Sequence, residues 1–403
     1  MSKTTSTTRR VAIITNNVGC ERHVQYYSTL EKYLVANNWT VAEDFDVEKV
    51  IICACGFHDF MMDKVSKLLK RLSEIGFSEK DVIITGCLPK THEQLLKQEF
   101  NGDLVELNQE HLLDDIIDAK IPFRSVSLPN VFVRPKTWQI PQDKTFFIKI
   151  AQGCVGHCTY CVIKKAKGHI RSVPFEEIKK QFEYATANGY KEIYLMGEDT
   201  FAWGADIGTN IIALVDSLLK ISPDVSFIFG NWHSRWLSQF SEDLIRLCKM
   251  GIIKKLSIGL QHVNQFLLRR MGRAINFHEF YGILRRFRAE CPDLHLSADI
   301  MVGFPGETPE MFEELVAFFE KDTVFDLVAH FGYSDVQGAP SSKFDAKVDT
   351  LQVGRRWDRL KKTLGQRSYY NAIETPETIR AVFQLSLDRD YTFCKDTYLK
   401  ELR

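Results

Sequence analysis

The chain lacks an excess of either charge. Fifty-two Lys and Arg stand against 52 Asp and Glu, for a formal net charge of zero at pH 7. General nucleic-acid binders usually carry a basic surplus, so bulk charge gives no such hint and leaves only a local patch open. No run of about 18 apolar residues is present, which excludes a helical membrane span. The first ten residues, MSKTTSTTRR, are polar and hold no apolar signal-peptide core. Sequence repeats and low-complexity tracts are also missing. Cysteine is scarce for a disulfide scaffold, ten in 403 residues. Several of the ten lie in short spacings, which inside a cell favours metal over disulfides. A cytoplasmic enzyme without a membrane partner is the expectation. What is present is ordinary core material, 45% hydrophobic and 26% charged, in a length that suggests two or three domains of roughly 100–200 residues each.

Apolar runs alternate with helical patterns along the chain. Strands are expected near 11–15, 49–53 and 81–85, with helices from about 20 to 37, 60 to 75 and onward from 91. Such alternation implies a parallel sheet with covered faces. The reading is an α/β chain. It begins with a tail at 1–10 and a small open parallel-sheet domain at 11–125. A linker at 126–143 follows, marked by Pro129, Pro135 and Pro141. A second series has strands near 146–150, 192–196, 226–230, 255–259, 294–300 and 327–333. Helices are expected between them near 175–188, 210–219, 242–250, 277–290 and 309–321. These units fit a partial (β/α)6 barrel over 144–345, whose active groups gather at the C-terminal strand ends. A basic helix near 351–370 opens a C-terminal extension at 346–403, with one or two strands after 376.

Cys154, Cys158 and Cys161 have the spacing C-x3-C-x2-C, just beyond the first barrel strand. Three thiolates so close can hold one [4Fe–4S] cluster and leave one iron open. Zinc is the alternative, with His157 as a fourth ligand. Cys20, Cys55 and Cys87 each follow an expected strand of the N-terminal domain. In a parallel sheet those ends share one edge, so the three thiols can converge. Cys53 lies inside its strand and reads as structural. Cys248, Cys291 and Cys394 have no motif context.

These two triads together resemble the radical S-adenosylmethionine (SAM) methylthiotransferase family over about residues 10–345. Further segments carry the likeness: Thr85-Gly-Cys87, Ile148-Lys-Ile-Ala-Gln-Gly-Cys154, Gly168-His-Ile-Arg171-Ser172, Glu198-Asp199-Thr200 running on to Gly204-Ala-Asp206-Ile-Gly208, and Asp299-Ile-Met-Val-Gly303-Phe-Pro-Gly-Glu307. The resemblance implies a radical-SAM barrel and two [4Fe–4S] clusters. The cluster on Cys154, Cys158 and Cys161 would bind SAM. The cluster on Cys20, Cys55 and Cys87 would supply sulfur, with room for an additional sulfide, and the product would carry a methylthio group at an unactivated carbon. An electron donor such as flavodoxin or ferredoxin is implied. Candidate SAM-binding residues are Tyr160, Arg171, Glu198, Asp199, Gln261, Arg273, Asp299 and Gly303. Among them Glu198 and Asp199 are expected to meet the SAM ammonium, Arg171 its carboxylate, and Gly303 to admit close backbone approach. Glu307 reads equally as a helix-start carboxylate.

Departures from the family pattern concern the substrate. His262-Val263-Asn264 follows Gln261 where Ser-Gly-Ser is usual. Tyr333-Ser-Asp-Val-Gln-Gly-Ala339 replaces a Tyr-Ser-x-Arg-x-Gly-Thr run, and Phe229-Gly-Asn-Trp-His-Ser-Arg235 is unusual. About 28 residues follow Thr375, short of the all-β TRAM-type domain with which the family commonly finishes. A peptide or protein substrate is therefore expected, with tRNA adenosine as the alternative. A third reading is a non-catalytic iron–sulfur carrier or scaffold.

Overall fold

The computed structural model describes residues 9–15, 20–56, 60–126, 145–273, 275–369 and 392–393. Residues 1–8 of the expected tail, 127–143 of the expected linker and nearly all of 376–403 lie outside them, whereas Arg9 and Arg10 of that tail already pair in a strand. The N-terminal strands are β1 (Arg9–Thr15), β2 (Trp39–Ala42), β3 (Lys49–Ala54), β4 (Val82–Gly86) and β5 (Asp103–Glu106). β1, β3, β4 and β5 are neighbours in that order and run parallel. β2 and the short antiparallel Thr392–Phe393 share the outer edge of β1. β1, β3 and β4 are Val/Ile-rich because both faces are covered. β2 and β5 escape a periodicity reading because each has four residues and charged or polar flanks.

The second unit contains β6 (Thr145–Lys149), the hairpin pair β7 (Ala151–Gln152) and β8 (Arg171–Ser172), β9 (Glu192–Met196), β10 (Ser226–Phe229), β11 (Lys255–Gln261), β12 (His295–Val302), β13 (Leu327–Gly332) and β14 (Ser368–Tyr369). Two parallel sheets result, β6-β9-β10 and β11-β12-β13-β14. Between β10 and β11 only the bridges Phe227–Ile253 and His233–Gly259 join them. This is an open barrel with a loosened middle. The helix expected at 242–250 begins earlier, at Arg235–Lys249, with a break at Phe240 (φ −114°, ψ 16°) that resets its apolar period.

Strand alternation decides what the barrel wall touches. Phe146, Ile148 and Leu195 pack outward on the barrel helices in the main core. Phe147, Tyr194 and Met196 face the other way and join the N-terminal core beside Tyr27 and Tyr33. The N-terminal domain therefore docks on the inner face of β6 and β9. A second tie lies beside the cysteines, where the short helices Leu88–Thr91 and Ile163–Lys167 pack together. There Lys165 Nζ donates to the Thr91 carbonyl at 2.8 Å.

Candidate active site

Cys154, Cys158 and Cys161 occupy the loop between β7 and the helix Ile163–Lys167. The loop is pinned by backbone bonds from Cys154 N–H to Gly168 (3.2 Å) and from Thr159 N–H to Met271 (3.0 Å). All three cysteines line a cavity of about 360 Å³ at the C-terminal strand ends. A Cβ at Gly156 would stand 3.1 Å from Cys154 Sγ and 3.8 Å from Cys158 Sγ, so glycine keeps the space between the thiols clear. Burial and the Asp199 carboxylate push the Cys154 thiol up to about 12. Burial, with the Cys158 thiol adding, pushes Cys161 to about 11. Such thiols ionise only against strong positive charge, which iron provides. Among the described residues no three His, Cys, Asp or Glu groups surround a single-ion site. Three thiols on one cavity wall could each take a different corner of a four-iron cube.

Cys20 stands at the N-cap of the helix Glu21–Ala36. Cys55 follows β3 and is buried, and Cys87 follows β4 and caps Leu88–Thr91. Cys87 N–H donates to the Ala54 carbonyl at 2.9 Å, which ties two of the three positions together. Cys20, Cys55 and Cys87 all raise the titration of buried Cys53, whose own burial is the largest cause. Cys53 itself belongs to the apolar core. Burial raises the Cys87 thiol, opposed chiefly by Lys167.

The other candidates divide into three groups. Tyr160, Asp199, Gln261, Arg273 and Asp299 line the cavity with the barrel cysteines. Asp199 Oδ1 accepts the His233 N–H at 3.2 Å and Trp236 Nε1–H at 2.9 Å, and Oδ2 lies 3.8 Å from Cys154 Sγ. Arg273 donates to Tyr160 Oη (2.6 Å) and Ser234 Oγ (3.0 Å), and also to the Gly259 carbonyl. Burial lifts the Asp299 carboxyl to about 6, with Arg273 pulling the other way. Gln261 adopts φ 75°, and its buried Oε1, like Trp232 Nε1, has no partner among the described residues. Both are aimed where a cavity ligand would sit.

Glu198 lines the cavity too, but its carboxylate is already committed. It accepts the Gly153 N–H at 2.8 Å and pairs with Arg22 at 3.2 Å and Lys167 at 3.9 Å. Burial opposes its ionisation, yet Lys167, Arg22 and Lys149 hold it below the usual carboxylate range. The expected free carboxylate for an ammonium is instead a knot between the two domains.

Arg171 and Gly303 are placed differently from expectation. Arg171 is exposed on β8, bonds Asn108 and is absent from the cavity wall. Antiparallel pairing of β8 with β7 turns it away from the cavity. Gly303 (φ +80°) is required by packing, since a Cβ would lie 2.4 Å from Val353 Cγ2 of the C-terminal helix. Glu307 below it accepts the Gly303 N–H and pairs with Arg356 at 2.9 Å and His262 at 3.4 Å. His262 is fully buried there, so this departure is internal rather than a substrate contact. The other two departures do reach the cavity, through Trp232, His233, Ser334 and Val336. Sequence reasoning missed Arg22 and Lys167. Both stand near cysteines in sequence, but their shared partner Glu198 is 31 positions from Lys167 and in the other domain from Arg22.

Comparison with known proteins agrees with this geometry. The radical SAM superfamily profile matches residues 148–319, and that of the uncharacterized protein family UPF0004 matches 10–106. A probable threonylcarbamoyladenosine tRNA methylthiotransferase of Pyrococcus abyssi is 31% identical over 77% of this chain and 74% of its own. A ribosomal protein uS12 methylthiotransferase of Dictyoglomus thermophilum is 28% identical over 86% of this chain and 81% of its own. Among solved structures, a radical SAM methyltransferase, TsrM of Kitasatospora setae, superposes with a TM-score of 0.53. It is 14% identical and covers 82% of this chain and 75% of that one, a likeness of fold.

Proposed function

The chain belongs to the radical-SAM methylthiotransferase family, and on that premise we propose that it places a methylthio group on an unactivated carbon of a polypeptide. Membership implies SAM and two [4Fe–4S] clusters as cofactors. When bound, they supply the radical and the sulfur that such a C–H bond requires. In this reading Cys154, Cys158 and Cys161 hold the cluster that faces SAM, and Cys20, Cys55 and Cys87 hold the other. Gln261 and Asp299 offer acceptors for the SAM ammonium. Asp199 positions the cavity-lining His233 and is held by Trp236. Arg273 orients Tyr160 against the cysteine loop. A low-potential donor of the flavodoxin or ferredoxin type would deliver electrons.

The observation that carries the polypeptide reading is a set of ion pairs near the cavity that takes up Lys347, Arg270 and Arg356. Asp335, between the cavity-lining Ser334 and Val336, pairs with Lys347. Arg270 pairs with Asp345 at 2.6 Å, and Arg356 of the basic helix turns inward to Glu307. Lys165 and the cavity-lining Lys164 each donate to a backbone carbonyl. A phosphate backbone wants several uncommitted cations, whereas a peptide needs none. The tRNA reading is favoured by a different observation, the 31% identity with a relative named for tRNA. The experiment is an anaerobic assay of the full chain with both clusters, SAM and reductant, offered polypeptides or tRNA in parallel. Mass spectrometry finds one methylthio group on polypeptide if the proposal holds. Methylthiolated nucleoside, or tight tRNA binding, overturns it.

A further inference from the structure

A second cavity, of about 460 Å³, lies on the seam between the helix Glu21–Ala36 and the inner face of β6 and β9. Glu198 belongs to its wall and to that of the cysteine-lined cavity. Four cations, Arg22, Arg124, Lys149 and Lys167, face it against two carboxylates, Glu110 and Glu198. Arg22 and Lys167 are matched by Glu198. Arg124 is exposed and solvated. Lys149 is the inner cation left over. It sits two residues after Phe147 on β6, so alternation turns it to the same inner face. Its ammonium donates to Gln152 Oε1 at 2.7 Å, a neutral amide. Among the described residues no carboxylate stands at ion-pair distance from it. Burial, with Lys167 beside it, disfavours its charge, and Glu198 and Glu110 only partly offset that. An ammonium has three N–H donors, of which Gln152 takes one, and a half-buried charge with no counter-charge is costly. An anion in the cavity removes that cost.

The place of the cavity matters as much as its charge. Arg22 stands two residues beyond Cys20. Lys167 acts electrostatically on the Cys87 and Cys20 thiols. The cavity therefore lies near the N-terminal triad and shares Glu198 with the cysteine-lined cavity.

We propose that this cavity binds a small monoanion, held by Lys149 beside the N-terminal cysteine triad. Two sources share that chemistry: an inorganic sulfur anion such as hydrosulfide, and a carboxylate such as an acidic substrate side chain. Only the choice between them rests on the methylthiotransferase reading, since that reaction incorporates a sulfur atom.

The test is calorimetric titration of the full chain with iodide, acetate and hydrosulfide, under anaerobic conditions, before and after the clusters are installed. Crystals soaked in iodide locate the site by anomalous scattering. Expected are an iodide peak beside Lys149 and mutual competition among the probes. Lys149→Met weakens binding about tenfold or more, the worth of one charge-assisted hydrogen bond, and Lys149→Arg restores most of it. Tighter hydrosulfide assigns the sulfur source, and tighter acetate assigns the carboxylate. No iodide peak in this cavity, or equal affinities in wild type and Lys149→Met, overturns the proposal. If Lys149→Met does not fold, Lys149→Gln and the iodide position in wild type still decide. Anion binding with no methylthio product from any substrate fells the functional reading and leaves the site standing.

Discussion

The two cysteine triads reach similar ends by opposite routes. The barrel triad is local: eight residues, Cys154 to Cys161, carry all three thiols on one pinned loop. The N-terminal triad is assembled from three loops, spread from Cys20 to Cys87, and depends on the parallel order of β1, β3 and β4. Their surroundings differ as well. The barrel thiols meet Asp199, which raises Cys154. The N-terminal thiols meet Lys167, which lowers Cys87 against the effect of burial. The leading charge beside Cys154 is thus an acid and that beside Cys87 a base. That contrast suits two clusters with different tasks, because neighbouring charge tunes how readily each gains an electron.

The largest effects should come from deleting one triad at a time. Replacing Cys154, Cys158 and Cys161 by Ala should lower iron from about eight to about four per chain and abolish reductive SAM cleavage. Replacing Cys20, Cys55 and Cys87 should lose the same iron yet keep SAM cleavage, with no methylthio product. Iron analysis and chromatography of the cleavage products distinguish them. Equal loss of cleavage in both would erase the division of labour.

A smaller effect should follow from cutting the link between the triads. Glu198→Ala leaves Arg22 and Lys167 buried without their carboxylate, at a cost of about 3–5 kcal/mol. Glu198→Gln keeps the Gly153 bond and should cost less. Thermal unfolding measures both, and an unchanged melting temperature for Glu198→Ala would show that the knot does not tie the domains.

The smallest effect concerns the barrel wall alone. Burial raises the Asp299 carboxyl from 3.8 to about 6. Its folded-state proton is therefore held more tightly than in the unfolded chain. The stability this contributes is complete below pH about 4 and is lost as pH rises towards 6. In the cluster-free chain, the melting temperature of wild type should fall across that window more than that of Asp299→Asn. Parallel pH curves for the two would show that Asp299 is not shielded from water.

Much of this was readable in advance where chemistry is local. The C-x3-C-x2-C run, the Val/Ile strands and the barrel alternation need only neighbours in sequence. β2 and β5 were not readable, being too short to show a period. Roles of single polar residues were the least readable. Glu198 looked like a ligand for SAM, but Arg22, 176 positions earlier, and Lys167 claim it. Gly303 looked like a place for cofactor approach, but Val353 occupies that space. Arg171 reads as a carboxylate clamp, but it is exposed on β8 and bonds Asn108.

The sequence by itself determined the α/β alternation, the positions of six cysteines and the family of chemistry, because spacing and period act within a few residues. Only the tertiary structure decided that the N-terminal domain docks on the inner face of β6 and β9, that Glu198 ties the two domains, and that Lys149 faces a second cavity. Those are pairings between distant segments, and a side chain's partner is set by which surfaces the fold brings together.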